Sequence, residues 1–274
     1  MDQPQADEKS AGHSSRPLLA VEDTAFLLRD EMRAIRFALE YAKAELELRD
    51  WGIRSTIIVF GGARTASPEE AKRAAAAAVT PQDAARAERM AEQARTYEVA
   101  RTFARIASER GGALAPKGRW RNNVIATGGG PGIMEAANRG AADAGAPSIG
   151  FNITLPAEQE TNRYITPALN FRFHYFAMRK MHLAMRASAM AFFPGGYGTL
   201  DELFEVLTLQ QTRKAPRAPV VLFCEAYWRR IVNFEALVEE GMIAPQDLAL
   251  FEYVETAEQG WESLVRRRLG SGDL

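Results

Sequence analysis

Six short apolar runs, separated by stretches with helical periodicity, constrain this chain more than any other feature. They are residues 55–60 (STIIVF), 123–127 (NVIAT), 148–153 (SIGFNI), 189–193 (AMAFF), 219–223 (PVVLF) and 251–254 (FEYV). None shows the clean alternation of a half-solvated strand, so each is predicted to be buried on both faces, as in a parallel sheet. The helical stretches supply the crossovers that parallel strands require. The predicted fold is α/β: a doubly wound, mostly parallel, Rossmann-like sheet flanked by helices.

Two segments extend this frame. Phe26, Leu27, Met32, Ile35, Leu39, Ala42 and Leu46 recur at helical spacing. They predict one long amphipathic helix over 24–49, ahead of the first strand. Residues 68–110 favour helix but are interrupted at Thr80-Pro81. That predicts two consecutive helices inserted after the first strand, with Thr80 capping the second and Pro81 at its first position. Residues 1–17 are rich in Gln, Asp, Ser, Gly and Pro and read as a disordered leader. No repeat or linker divides the rest, so 18–274 is expected to be one nucleotide-binding α/β domain.

The formal net charge of −1 provides no global field for nucleic acid or an anionic membrane, so any bound anion must be held locally. The single cysteine, Cys224, cannot form an internal disulfide and is expected to act as a small buried hydrophobe. No stretch approaches the roughly 20 apolar residues of a membrane span, and the N-terminus lacks a signal-like core. A soluble, cytoplasmic protein is expected.

In an open parallel sheet, ligands collect at the carboxyl ends of the strands. Three predicted strand ends are rich in glycine: Gly61-Gly62-Ala63-Arg64, Gly128-Gly129-Gly130-Pro131-Gly132-Ile133-Met134-Glu135, and Pro194-Gly195-Gly196-Tyr197-Gly198-Thr199. Glycine there lets backbone N–H groups approach a phosphate, although it also simply closes tight turns. The dinucleotide pattern is absent: Gly128 and Gly130 would need a third glycine where Ile133 stands, and the next strand carries Asn152 rather than an acid. No Walker A motif occurs. A mononucleotide phosphate site fits better.

Thr199-Leu200-Asp201-Glu202 has the spacing of a capping box, a structural role that competes with a catalytic one for Glu202. In the preceding helix, Arg179, His182 and Arg186 share a face, ordinarily a solvated one. That helix leads into the strand ending at Pro194, so its basic residues could reach the crevice. Asn152, Pro156 and Glu158 follow the third strand and could line it, and the loop 161–170 could cover it. Met134, Phe171 and Tyr175 are candidates for a base pocket.

Together these segments resemble the LOG (Lonely Guy) family of phosphoribohydrolases, whose members activate cytokinins and are often labelled lysine decarboxylases. The run from Pro194 to Glu202 matches the family's P-G-G-x-G-T-x-x-E motif at each fixed position, and Arg179-Lys180 matches its R-K pair. The similarity spans about 57–254, and the segments at Gly128–Glu135 and around Asn152 look like the longer members.

The resemblance implies hydrolysis of the N-glycosidic bond of a nucleoside 5′-monophosphate, AMP or an N6-modified cytokinin ribotide, without metal or organic cofactor. Gly195, Gly196, Tyr197, Gly198 and Thr199 would bind the 5′-phosphate. Glu202 would act as general base or as counter-charge to the ribose, and Arg179 would meet the departing base or the phosphate. Gly61, Gly62, Arg64, Gly129, Gly130, Met134, Glu135, Asn152, Pro156 and Lys180 would complete the binding site. A homodimer or higher homo-oligomer is implied, with neither nucleic acid nor membrane as partner. Lys180 is the lysine near the crevice, and nothing around it looks like a pyridoxal phosphate cradle. The alternative from another class is a protein of the same fold that binds a nucleotide or phosphate without turnover.

Overall fold

A computed structural model describes residues 17–154, 160–215 and 217–267. The expected leader, apart from Pro17, lies outside them.

The described residues build one seven-stranded sheet of order β4-β3-β2-β1-β5-β6-β7. The strands are β1 (Thr56–Phe60), β2 (Val124–Thr127), β3 (Ser148–Ile153), β4 (Asn170–Phe173), β5 (Ala187–Phe192), β6 (Val220–Phe223) and β7 (Phe251–Val254). Every pairing is parallel. The chain winds outward from β1 to β4, then returns to place β5 on the other side of β1. The β1–β5 junction is therefore the topological switch point, where the carboxyl ends of strands leave a crevice.

The ten α-helices of the described residues are α1 (Thr24–Leu27), α2 (Arg33–Asp50), α3 (Pro68–Ala76), α4 (Pro81–Arg110), α5 (Ile133–Asp143), α6 (Phe176–Met185), α7 (Tyr197–Gln211), α8 (Glu225–Ile231), α9 (Phe234–Glu239) and α10 (Ala257–Arg266). Ile57 and Val59 join one core with Tyr97 and Phe103 of α4, Ala137 of α5 and Leu264 of α10. Ile58 and Phe60 join the other with Leu48 of α2, Leu183 of α6, Leu203 of α7 and Trp228 of α8. Both faces of the sheet are covered, which is why the strand sequences show no polar alternation.

The insertion after β1 is two helices, as its punctuation predicts. The Thr80 side chain accepts from Asp83 N, the Asp83 carboxylate returns to Thr80 N, and Pro81 opens α4.

The N-terminal helix is not continuous. It breaks between α1 and α2, where Arg36 donates to the Leu27 and Arg29 carbonyls at 2.7 and 2.6 Å. That long-range cap is invisible to apolar periodicity. The face of α2 that packs is also not the expected one: Ala44 and Leu48 are buried, whereas Ile35, Leu39 and Leu46 are exposed.

The loop expected through residue 170 ends instead in β4. Its burial alternates, with Phe171 and Phe173 inward and Asn170 and Arg172 outward, as suits an edge strand too short to register as an apolar run. Cys224 is half-buried rather than buried, caps α8, and has φ 68°.

Candidate functional site

The β1, β2 and β5 turns are stitched together at the switch point. Gly62 N donates to Pro194 O at 2.9 Å, and Ile133 N donates to Gly62 O at 3.2 Å. Gly129 adopts φ 76°, and a Cβ there would lie 2.2 Å from Asn152 Oδ1, so conformation and space both demand glycine. Above the turns opens a cavity of about 470 Å³, a volume that suits a small-molecule ligand. Its walls include Gly61, Gly130, Met134, Asn152, Arg179 and Glu202.

Helix α7 begins at Tyr197 with Gly196 as its cap and no side-chain cap. Its first intrahelical bond runs from Leu200 N to Gly196 O. The N–H groups of Tyr197, Gly198 and Thr199 have no acceptor among the described residues, and Gly196, Gly198 and Thr199 line the cavity. Orphan donors at a helix N-terminus, with the dipole behind them, form an anion site.

This start corrects the capping-box expectation. The glycine-rich turn lets the helix begin before Thr199, so Thr199 lies within the first turn rather than at the cap. Glu202 lies beyond reach of the terminus, and its carboxylate is not used as a cap.

Glu202 meets Arg179 instead: Arg179 Nη2 donates to Glu202 Oε1 at 3.0 Å. The side chains are 15% and 7% exposed, so this ion pair sits where solvent screening is weak. Burial pushes the Glu202 carboxyl above its ordinary value, against the pull of Arg179 and Lys180. Arg179 Nε is buried and has no hydrogen-bond partner among the described residues. The pair joins two helices from different crossovers, α6 before β5 and α7 after it.

The remaining basic residues of α6 do not form a shared solvated face. His182 is buried, stacked on Tyr41 at 5.4 Å and beside Phe151 and Phe173. Arg186 makes a two-pronged ion pair with Glu45 of α2 at 2.6 Å. The helix curls its second turn into the core, because Leu183 and His182 must close over β3.

Several expected binding residues stand elsewhere. Lys180 Nζ is held by Asp201 Oδ2 at 2.7 Å and Glu205 Oε2 at 2.9 Å and does not line the cavity. Arg64 turns into a separate concavity of about 290 Å³, shared with Glu70, Arg86, Arg89 and Gln93. Glu135 accepts from the Tyr97 hydroxyl at 2.9 Å. Tyr197 projects outward, 93% exposed. Gly62, Gly129 and Gly195 shape the turns rather than the cavity wall.

Of the base-pocket candidates, Met134 lines the cavity, Phe171 is buried against Phe151, and Tyr175 packs on Phe37 and accepts from Arg36. Pro156 and Glu158 lie outside the described residues.

The cavity also has a polar wall: Thr161 and Asn170, the two ends of the loop expected to cover it, together with Thr154 and Arg172, which the motifs do not mark. Asn152 Nδ2 donates to Asn170 Oδ1 at 2.6 Å, and Arg172 Nε donates to Thr154 Oγ1 at 3.2 Å. The period-2 pattern N-F-R-F of β4 is the signal that could have found two of these residues. Among the described residues, no group of three or more His, Cys, Asp or Glu could hold a metal ion, and no helix is long and apolar enough to cross a membrane.

Residues 134–264 match the family model described as "Possible lysine decarboxylase". A probable cytokinin riboside 5′-monophosphate phosphoribohydrolase of Oryza sativa subsp. japonica, LOGL3, is 33% identical over 87 residues, covering 31% of this chain and 41% of that one. The cytokinin riboside 5′-monophosphate phosphoribohydrolase LOG1 of Arabidopsis thaliana is 40% identical over 68 residues, covering 24% and 32%. These matches span less than half the length of the curated relatives. Among solved structures, a molybdenum cofactor binding protein from Rippkaea orientalis aligns over 78% of this chain and 97% of its own, at 20% identity and a TM-score of 0.45. Residues 134–264, which hold Arg179, Glu202 and the glycine turn at the start of α7, are thus similar to the LOG (Lonely Guy) phosphoribohydrolases over part of their length.

Proposed function

We propose that this chain hydrolyses the N-glycosidic bond of a purine nucleoside 5′-monophosphate, AMP or an N6-substituted cytokinin ribotide, giving the free base and ribose 5-phosphate. The observation that carries the reading is the buried Arg179–Glu202 pair, set in one cavity with the uncapped N-terminus of α7. A protein that only bound phosphate would need the glycine turn but not a desolvated carboxylate beside it.

The chemistry follows from those positions. The free N–H groups of α7 take the 5′-phosphate. As the C1′–N bond breaks, its electron pair leaves with the base, and positive charge develops at C1′ and the ring oxygen. The Glu202 carboxylate opposes a charge that is largest in the transition state, which is the condition for catalysis rather than mere binding. Water attacks C1′, Glu202 accepts its proton, and that proton then passes to the departing base, so the free base leaves neutral and the carboxylate is restored. The Arg179 charge opposes the rise that burial imposes on the Glu202 carboxyl, and its guanidinium, at the cavity wall, would meet the phosphate or the departing base.

Decarboxylation through a lysine Schiff base is disfavoured by Lys180 itself. Burial alone would lower its ammonium pKa, but the bonds to Asp201 and Glu205 prevail and raise it, the reverse of what an activated lysine needs.

The test is incubation with AMP and with N6-isopentenyladenosine monophosphate, following base release by chromatography. Release from at least one is expected; saturable binding with no release from either overturns the hydrolase reading in favour of a binder. We also propose self-association through α2, supported by its exposed apolar residues Ile35, Leu39 and Leu46. Light scattering at micromolar concentration should give at least the mass of a dimer.

A further inference from the structure

Asn162 lies outside both the family motifs and the cavity wall, yet it is buried and gathers the β2 turn. Its backbone N donates to Gly129 O at 2.9 Å. Its side-chain amide Nδ2 lies 3.2 Å from Gly129 O, 3.1 Å from Gly130 O and 3.0 Å from Asn138 Oδ1. Its Oδ1 accepts from Tyr164 N.

Behind it, Thr127 Oγ1 donates to Asn138 Oδ1 at 2.7 Å and accepts from Gly129 N at 2.9 Å. Asn138 Nδ2 donates to Ser148 Oγ and to Ile149 O. Asn138, Thr127 and Ser148 are all buried. Asn138 and Asn162 each have partners for both the amide oxygen and the amide nitrogen, so the network holds one arrangement.

The consequence lies in the orientation of a peptide group. In a trans peptide the C=O and the following N–H point in opposite directions. Asn162 holds the Gly129 carbonyl on its own side, so the N–H of Gly130 points the other way. Gly130 lines the cavity and Asn162 does not, and no acceptor for the Gly130 N–H stands among the described residues.

We infer that Asn162 is a positioning residue: by clamping the Gly129 and Gly130 carbonyls it aims the Gly130 N–H into the cavity, as a donor to an oxygen of the bound nucleotide. The inference rests on the proposed nucleotide site. It adds a second backbone donor, from the β2 turn, facing the α7 N-terminus. The donor is fixed before the ligand arrives, so little ordering is needed on binding.

The test compares the full-length protein with Asn162→Ala and Ser148→Ala, measuring AMP affinity by calorimetry and the thermal midpoint of each. Ser148→Ala removes a bond of the same network that does not touch the turn. Both substitutions should lower the thermal midpoint. Asn162→Ala should weaken AMP binding about tenfold, the loss of one well-placed hydrogen bond, while Ser148→Ala leaves it unchanged. Equal affinity of wild type and Asn162→Ala, with only the midpoint lowered, overturns the inference.

Should Asn162→Ala not fold, the wild-type protein decides by NMR. The Gly130 amide should show a large proton shift when AMP saturates the site, and an unmoved Gly130 resonance overturns the inference. Wild type that binds AMP or N6-isopentenyladenosine monophosphate but releases base from neither overturns the hydrolase reading alone. Wild type that binds neither ribotide overturns both.

Discussion

Arg179 on α6 and Glu202 on α7 are 23 residues apart in sequence, and their side chains meet at 3.0 Å in the wall of a single cavity. The two helices flank β5, so the pair depends on that strand delivering the chain back to the switch point. The Arg179 charge therefore acts on a carboxyl whose pKa burial raises, and opposes that rise.

Replacing Glu202 by Gln keeps the size and a hydrogen-bond acceptor for Arg179 but removes the charge. Base release from AMP should fall about 10²–10⁴-fold, the range for a positioned acid–base group. AMP affinity should change by less than threefold. Turnover that survives at the wild-type rate would assign Glu202 a structural role.

Glu202 predicts a pH dependence of definite sign. Burial raises its folded pKa above the ordinary 4.5, while Arg179 and Lys180 oppose the rise. The folded chain therefore holds this proton to higher pH than the unfolded one. The associated stability is complete below about 4.5 and declines as pH climbs to the folded value. Activity, which needs the carboxylate, should rise through that same window. An acid limb of kcat/KM with its midpoint above 4.5 is expected, and in Arg179→Gln the midpoint should move to still higher pH. Carbon-13 titration of the glutamate carboxyls reads the same shift if the variant turns over too slowly.

His182 should make the fold acid-sensitive. Burial lowers its pKa from 6.5, Arg186 adds to that, and the Glu45 charge and the Tyr41 backbone, which favour the protonated ring, partly oppose it. Below 6.5 the unfolded state takes up a proton that the folded state refuses, so stability falls as pH drops toward the lowered value. His182→Phe retains the stacking with Tyr41 and Phe151 and should flatten this loss. Denaturant unfolding at pH 5 and pH 8 measures it: the difference in stability should be smaller in the variant.

Gly195 approaches Thr199 so closely that an added Cβ would lie 2.1 Å from Thr199 Oγ1. Gly195→Ala must push Thr199 and the start of α7 aside, at a cost of about 1–3 kcal/mol if the shift resembles core overpacking. The KM for AMP should rise at least tenfold, because the displaced N–H groups are those proposed to hold the phosphate. Steady-state kinetics together with a melting curve separates lost binding from lost folding.

Lys180, although it sits next to Arg179, should matter little to turnover. Its ammonium is held by Asp201 and Glu205 on the outer side of α7. Lys180→Met should leave kcat/KM within about threefold and stability within about 1 kcal/mol, as for a partly exposed ion pair. A loss of a hundredfold would return it to the binding site.

Fold class was legible because it is written in local chemistry. Apolar runs too short for helices and lacking alternation require burial on both faces, and Thr80-Pro81 announces a helix start wherever the chain goes. The β4 strand escaped because edge strands are short and half-polar. The break before α2 escaped because the group that makes it, Arg36, acts through carbonyls seven and nine residues away.

The glycine turns and the identities of Arg179 and Glu202 are readable from the chain alone, since backbone approach and permanent charge are properties of residue types. Which role each plays is not. Thr199 to Glu202 has the spacing of a helix cap, and only the start of α7 at Tyr197 frees the carboxylate from it. Arg64, Lys180 and Glu135 have the chemistry of ligand-binding residues, but the folded chain turns each toward another partner. The polar wall of Asn170 and Arg172 and the Asn162 clamp come from segments with no motif. Local sequence sets backbone propensity and side-chain chemistry; direction and neighbourhood are settled when seven parallel strands bring distant turns to one edge of a sheet.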